Sequence, residues 1–173
     1  MKNVLVVVDV QVHFKSVTDK YVDEIFELCK TFDEVYQIWD AVDVNTPDFK
    51  FPNQVNAIRK EYGGELLEED IDYYQFSEND KERLREGFNN GFSSGEMFAD
   101  GQGEKIQWFL YVGGMHEWFI IPEKLFTLFK KLKTEGKQII LCGGAEEECL
   151  EDIRVVAMAM DLESEILGTY VYS

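Results

Sequence analysis

The chain has 173 residues, 45% of them hydrophobic and 14% aromatic, which suits one domain with a sizeable core and is too apolar for a disordered chain. Thirty-four acidic residues against seventeen basic ones give a net charge of −17, and such a surface repels phosphate backbones and anionic membranes, arguing against ordinary nucleic-acid or lipid partners. No apolar run approaches a membrane span, and the three cysteines, Cys29, Cys142 and Cys149, match neither a disulfide framework nor a metal-site spacing, which fits a reducing cytoplasm.

Residues 3–9 are almost wholly apolar and β-branched, as a strand buried on both faces of a parallel sheet requires. The run is short, ends in Asp9 and has no small-residue cleavage site, so it reads as a strand rather than a signal sequence. Tyr21, Val22, Ile25, Phe26 and Cys29 recur at helical spacing and predict a helix over 18–31, with Thr18 or Asp19 as its cap. A second strand is predicted over 35–39. After a loop at 46–52, the spacing of Val55, Ile58 and Tyr62 predicts a short helix ended by Gly63-Gly64.

Residues 65–80 carry seven acidic groups and no basic one, and 87–103 are rich in glycine, asparagine and serine. The stretch from about 63 to 104 is therefore read as an excursion from the main fold, with one helix near 79–88. A third strand is predicted over 106–112, then a helix that Pro122 begins and Gly136 ends, with Leu125, Leu128, Phe129 and Leu132 on its apolar face. Next come a strand over 138–142, a turn at Gly143-Gly144-Ala145, a helix through Leu150, Ile153, Ala157 and Met160, and a last strand pair within 165–172.

Alternating strands and helices imply βαβ units and a three-layer, Rossmann-like α/β domain, a parallel sheet flanked by helices, spanning 1–173. Ligands of such sheets sit beyond the carboxyl ends of the strands. That rule gathers Asp9, Asp40, the segment 113–117 and the turn 143–149 into one expected crevice.

Two motifs carry a resemblance. Asp9-Val10-Gln11-Val12-His13-Phe14 is similar to a D-x-Q-x-x-F motif, and Cys142-Gly143-Gly144-Ala145-Glu146-Glu147-Glu148-Cys149-Leu150 is similar to C-G-x-A-T-x-x-C-V. Both belong to the isochorismatase-like cysteine hydrolases, which include nicotinamidases and related amidases, and the chain resembles that family over nearly its whole length outside 63–104. The resemblance implies an isochorismatase-like fold, Asp9 as catalytic acid/base, Cys149 as nucleophile, and Gln11, Gly144 and Ala145 beside the substrate. It also implies a homo-oligomer. The segment Gly113-Gly114-Met115-His116-Glu117-Trp118-Phe119 resembles divergent members associated with bacteriophage genomes, and places Glu117 and Trp118 with the substrate residues. Independently of any resemblance, a thiol in the first turn of a helix faces backbone N–H groups and the positive dipole end, which favour a thiolate. Glu146, Glu147 and Glu148 oppose that effect.

The chain also departs from the family. A lysine is expected just after the third strand; after a strand at 106–112 there is none, only His116 and Glu117 before Pro122. His116 thus becomes the third catalytic candidate, since imidazole can take a thiol proton at neutral pH and Asp9 can orient it. The D-x-H metal element of nicotinamidase-type relatives is matched only by Asp40 and Asp43 without a histidine, so no metal and no cofactor is expected. Glu146 stands where the family motif has threonine. Trp108, Phe109, Tyr111, Trp118 and Phe119 line either a pocket or a core, and Cys29 and Cys142 read as small buried hydrophobes. The leading expectation is a cysteine hydrolase acting on a small amide- or imide-like substrate. The alternatives are an inactive descendant that binds a small metabolite, and an interaction module whose acidic 65–80 segment meets a basic partner or mimics nucleic acid.

Overall fold

Five strands, the inner ones mostly apolar and the edge ones mixed, pair in parallel with the order β3-β2-β1-β8-β9. They are β1 (Asn3–Val8), β2 (Val35–Trp39), β3 (Gln54–Arg59), β8 (Gln138–Gly144) and β9 (Ser164–Tyr172). The computed structural model describes residues 2–41, 44–101, 105–113 and 117–173. Val4 to Val8 and all five residues of β2 are buried, which places β1 and β2 in the sheet interior and explains the apolar run of β1 and that of β2, broken only by Gln37.

From β1 the chain moves to β2 and β3 on one side, whereas β8 leads to β9 on the other. The order reverses between β1 and β8, whose register sets Val8 beside Gly143. Right-handed connections running in opposite directions put the intervening helices on opposite faces. Helix α1 (Asp19–Cys29) starts at Thr18, whose hydroxyl accepts the Tyr21 N–H at 3.2 Å. Its Ile25, Leu28 and Cys29 pack with Leu5, Val7, Ile140 and Cys142. Helix α4 (Cys149–Ala159) buries Leu150, Ile153, Val155, Val156 and Ala157. The α/β architecture is thus a five-stranded parallel sheet flanked by helices, consistent with a Rossmann-like fold.

The chain divides into two compact units, residues 1–60 with 127–173, and Glu61–Phe126. The second contains an antiparallel sheet of order β4-β7-β6-β5, from β4 (Glu61–Gly64), β5 (Met97–Asp100), β6 (Gln107–Val112) and β7 (Glu117–Ile121). Helix α2 (Glu78–Asn90) begins at Ser77, whose hydroxyl accepts from the Asp80 N–H. Phe76, Leu84, Phe98 and Trp118 form this unit's core. The division falls within α3 (Glu123–Thr134).

Several expectations are corrected. The short helix through Val55, Ile58 and Tyr62 is instead β3 and β4, because pairing with β2 and β7 outweighs a chance three- and four-residue spacing. The excursion expected to end near 104 continues to Phe126 and includes β7, which was missed. The strand at Gln107–Val112 exists but belongs to the antiparallel sheet, so the third parallel strand is Gln54–Arg59. The final strand pair is one irregular strand: Leu141 pairs with Ile166 but Gly143 with Val171, so extra residues bulge out between the two pairings.

Candidate active site

Asp9 follows β1 directly. Its backbone takes φ of +51°, a left-handed conformation that aspartate tolerates better than most residues. Its N–H donates to Ile38 O at 2.9 Å, and its own carbonyl accepts from the Tyr172 hydroxyl at 2.5 Å. The carboxylate is wholly buried. Lys60 follows β3, where its N–H donates to Trp39 O at 2.8 Å. Its side chain is also fully buried, and its ammonium makes a short ion pair with Asp9 Oδ2. Two lone charges could not be held there; paired, each offsets much of the other's desolvation.

Cys149, the first residue of α4, lies within hydrogen-bonding reach of both the Asp9 carboxylate and the Lys60 ammonium. The other carboxylate oxygen, Asp9 Oδ1, is buried without a hydrogen-bond partner, which leaves it available to accept a proton. Burial raises the Asp9 carboxyl above its ordinary range, and the attraction of Lys60 only partly offsets this. Burial is also the largest single influence on Lys60, lowering it, but Asp9 and Cys149 together outweigh it and keep the ammonium charged.

The turn before Cys149 is shaped by its glycines. Gly143 has φ of +106°, and a Cβ there would stand 1.9 Å from Val8 O, so β1 and β8 approach too closely for any other residue. A Cβ on Gly144 would stand 2.6 Å from the Tyr172 ring. The Gly144–Ala145 peptide is cis. Ala145 O accepts the N–H groups of Glu148 and Leu150, each at 3.1 Å, while the Glu146 N–H donates to Tyr172 O at 3.0 Å. Glu148 provides no side-chain cap at the start of α4, where the Leu150 N–H is taken by Ala145 O. Tyr172 thus touches both halves of the site: its hydroxyl holds Asp9, its ring covers Gly144, and its carbonyl ties down Glu146.

Among the residues expected from sequence, Asp9 and Cys149 are brought together, with Gly144 closing β8 and Ala145 in the turn that leads to α4. The expectation that a lysine was absent is corrected by Lys60. The third parallel strand is β3 rather than the strand at 106–112, and the available signal was the short segment with Val55 and Ile58 that Lys60 closes. His116, proposed in its place, lies outside the described residues, as does Asp43. Gln11, expected beside the substrate, is fully buried and brackets Asp40: its Nε2 donates to Asp40 O and its Oε1 accepts the Asp40 N–H, both at 2.7 Å. Trp118 lies in the core of the second unit, 3% exposed and in ring contact with Phe92, Phe98 and Tyr111. Glu117 is a half-buried residue of β7 in the same unit, opposite Val112.

No family model, curated protein or solved structure matches the chain. Among the described residues, no three His, Cys, Asp or Glu side chains are grouped to hold a metal, and no helix is long and apolar enough to cross a membrane. The functional reading therefore rests on the chemistry of Asp9, Lys60 and Cys149.

Proposed function

We propose that the chain is a cysteine hydrolase of isochorismatase-like type, acting on a small amide- or imide-like substrate with Cys149 as nucleophile. The observation that carries this reading is the buried Asp9–Lys60 ion pair in contact with a half-exposed thiol at the start of a helix. A carboxylate and an ammonium placed in the interior at a cost in desolvation, and converging on one thiol, suit proton transfer better than they suit stability.

Asp9 takes the Cys149 proton, and the Lys60 ammonium stabilises the resulting negative charge. The thiolate adds to the substrate carbonyl carbon. Amides at the uncapped start of α4 hold the oxyanion, where each donor is worth about 3–4 kcal/mol in comparable sites. The N–H groups of Glu146 and Glu148 already donate within the turn, which narrows the donors to the other amides of 145–149. The tetrahedral intermediate collapses as the C–N bond breaks, and Asp9 returns its proton to the leaving nitrogen. Asp9 then deprotonates a water that attacks the thioester, releasing the carboxylic acid and restoring the thiol with the same proton. The reading of the chain as an inactive descendant drew its force from a missing lysine; with Lys60 in place it has no observation of its own.

The test is the rate of Cys149 alkylation by iodoacetamide across pH, in the native chain and in Asp9→Asn, Lys60→Gln and Cys149→Ala variants, with an amide-substrate screen read by intact mass for an acyl-enzyme. Fast alkylation near neutral pH that is lost in the Asp9 and Lys60 variants, with an acyl adduct absent from Cys149→Ala, is expected. A thiol that titrates like free cysteine, unaffected by either variant, would falsify the reading.

A further inference from the structure

The charges around Cys149 carry the hydrolase reading one step further, to the kind of substrate. Glu146, Glu147 and Glu148 directly precede the thiol and are all exposed. Asp40, half-buried at the end of β2, lies close enough to push the Asp9 carboxyl further upward. In the first unit, the loop residues 9–18, 40–53 and 145–148 also bring Asp48, whose carboxylate accepts the Val12 N–H, and the exposed Lys15 and Lys50. His13 packs against Phe14 at a ring separation of 4.0 Å. These loops thus carry five described carboxylates besides Asp9, and two exposed ammonium groups.

The buried charges do not reverse this balance. Asp9 and Lys60 cancel, and Cys149 adds a negative charge whenever it is ionised. The dipole of α4 contributes only about half a positive charge at its start, against three glutamates within three residues of the thiol. A substrate carboxylate entering here meets, as cations among the described side chains of these loops, only Lys15 and Lys50 against the five carboxylates, since the Lys60 ammonium is committed to Asp9. Asp9 Oδ1, wholly buried beside the thiol and without a hydrogen-bond partner, marks the place where a proton is to be received.

We propose that this site selects positively charged substrates, amides that carry an ammonium or amidinium group near the scissile carbonyl, and rejects anionic ones. The substrate class rests on the hydrolase reading; the charge selection does not, and the two can fail separately. The first arm of the test needs no turnover. Cys149 is modified in the full-length chain with three methanethiosulfonates carrying an ammonium, a sulfonate or no charge, each rate divided by that for free cysteine. Cys149→Ala supplies the background from the buried Cys29 and Cys142. At low ionic strength the ammonium reagent is expected to exceed the sulfonate on the order of tenfold, from the field of several carboxylates within about a Debye length. The preference should shrink several-fold in the triple variant E146Q/E147Q/E148Q and in concentrated salt. Equal normalised rates, or a preference for the sulfonate, overturn the charge selection.

The second arm compares kcat/KM for amides sharing one scissile bond and bearing an ammonium, a neutral or a carboxylate group. The cationic amide is expected to lead, and to lose its lead in the triple variant. Equal or faster cleavage of the anionic amide overturns the substrate class. Cleavage of none of the three overturns the hydrolase reading and the substrate class together, while the first arm still decides the charge selection.

Discussion

The two units solve the problem of a core differently. In the second, Phe76, Leu84, Phe98 and Trp118 form the centre, and the rings of Phe88, Phe92, Phe109 and Tyr111 surround it. In the first, the packed residues are mostly aliphatic, yet all five buried polar or charged side chains among the described residues, Asp9, Gln11, Gln37, Lys60 and Asp152, are found there. Aromatic packing gives much buried area per residue, and the charges that meet these rings, Arg83 over Phe98 and Arg85 over Tyr73, lie over ring faces rather than buried in the core. A parallel sheet with a strand-order reversal has backbone ends on which a carboxylate and an ammonium can be fixed. Buried charge is costly, so its confinement to the unit that also holds Cys149 points to chemistry there and to packing in the other.

The largest way to break this comparison is to remove one charge. Lys60→Met leaves the Asp9 carboxylate buried and unpaired, which should cost about 3–5 kcal/mol in urea unfolding, whereas Asp9→Asn with Lys60→Met should cost less than the sum of the two single changes. The pH dependence has a definite sign. Burial raises Asp9, so the folded state holds that proton more tightly than the unfolded chain does. Its contribution is present below the ordinary carboxyl range and is lost as pH rises through the raised value. Without Lys60 to offset burial, that value rises further, so the penalty of Lys60→Met should shrink as the solution is acidified. A penalty independent of pH would show that the carboxylate is not the cause.

A comparable loss is expected in the second unit, but of another kind. Trp118→Ala removes a ring packed on Phe92, Phe98 and Tyr111 and should cost about 3–5 kcal/mol, while Trp118→Phe, which keeps a ring in the cluster, should lose less. The measurement is unfolding of the chain at several pH values. The Trp118→Ala penalty should stay nearly constant from pH 4 to 8, unlike that of Lys60→Met, and a strong pH dependence would mean that the second unit also depends on buried charge.

The same contrast explains what could be read in advance. β1, β2, α1, α3 and α4 were legible because each pairs a nearly uninterrupted or 3.6-periodic apolar run with a recognisable stop, such as Asp9 or Gly136. β3 was not, because an edge strand is only half covered: Val55 is 59% exposed while Ile58 is buried, a spacing that imitates a helix. That single misreading displaced the third strand by some fifty residues and hid Lys60. Asp9 and Cys149 were visible as motif residues at strand ends. Lys60 was not, since its part in the site depends on strand order, and strand order is set by tertiary pairing. The packing of Gln11 and Trp118 was hidden for a related reason: a polar or aromatic residue near a motif looks the same in sequence whether it meets a ligand, a backbone or a core.

The finest test concerns Tyr172, which belongs to the first unit yet is an aromatic residue serving the polar site. Burial, followed by the negative charges of Asp9 and Cys149, pushes its phenol upward, so it remains an O–H donor throughout the working range. Tyr172→Phe keeps the ring over Gly144 but removes the donor to the Asp9 carbonyl, which should cost about 1–2 kcal/mol of stability. If the hydroxyl also positions Asp9, the pH profile of Cys149 alkylation should move in this variant, because the carboxylate would no longer be held at the same distance from the thiol and Lys60. A matching loss of stability with an unmoved profile would confine Tyr172 to holding the fold. A moved profile would mean that the last strand sets the proton affinity of the site through the backbone of Asp9.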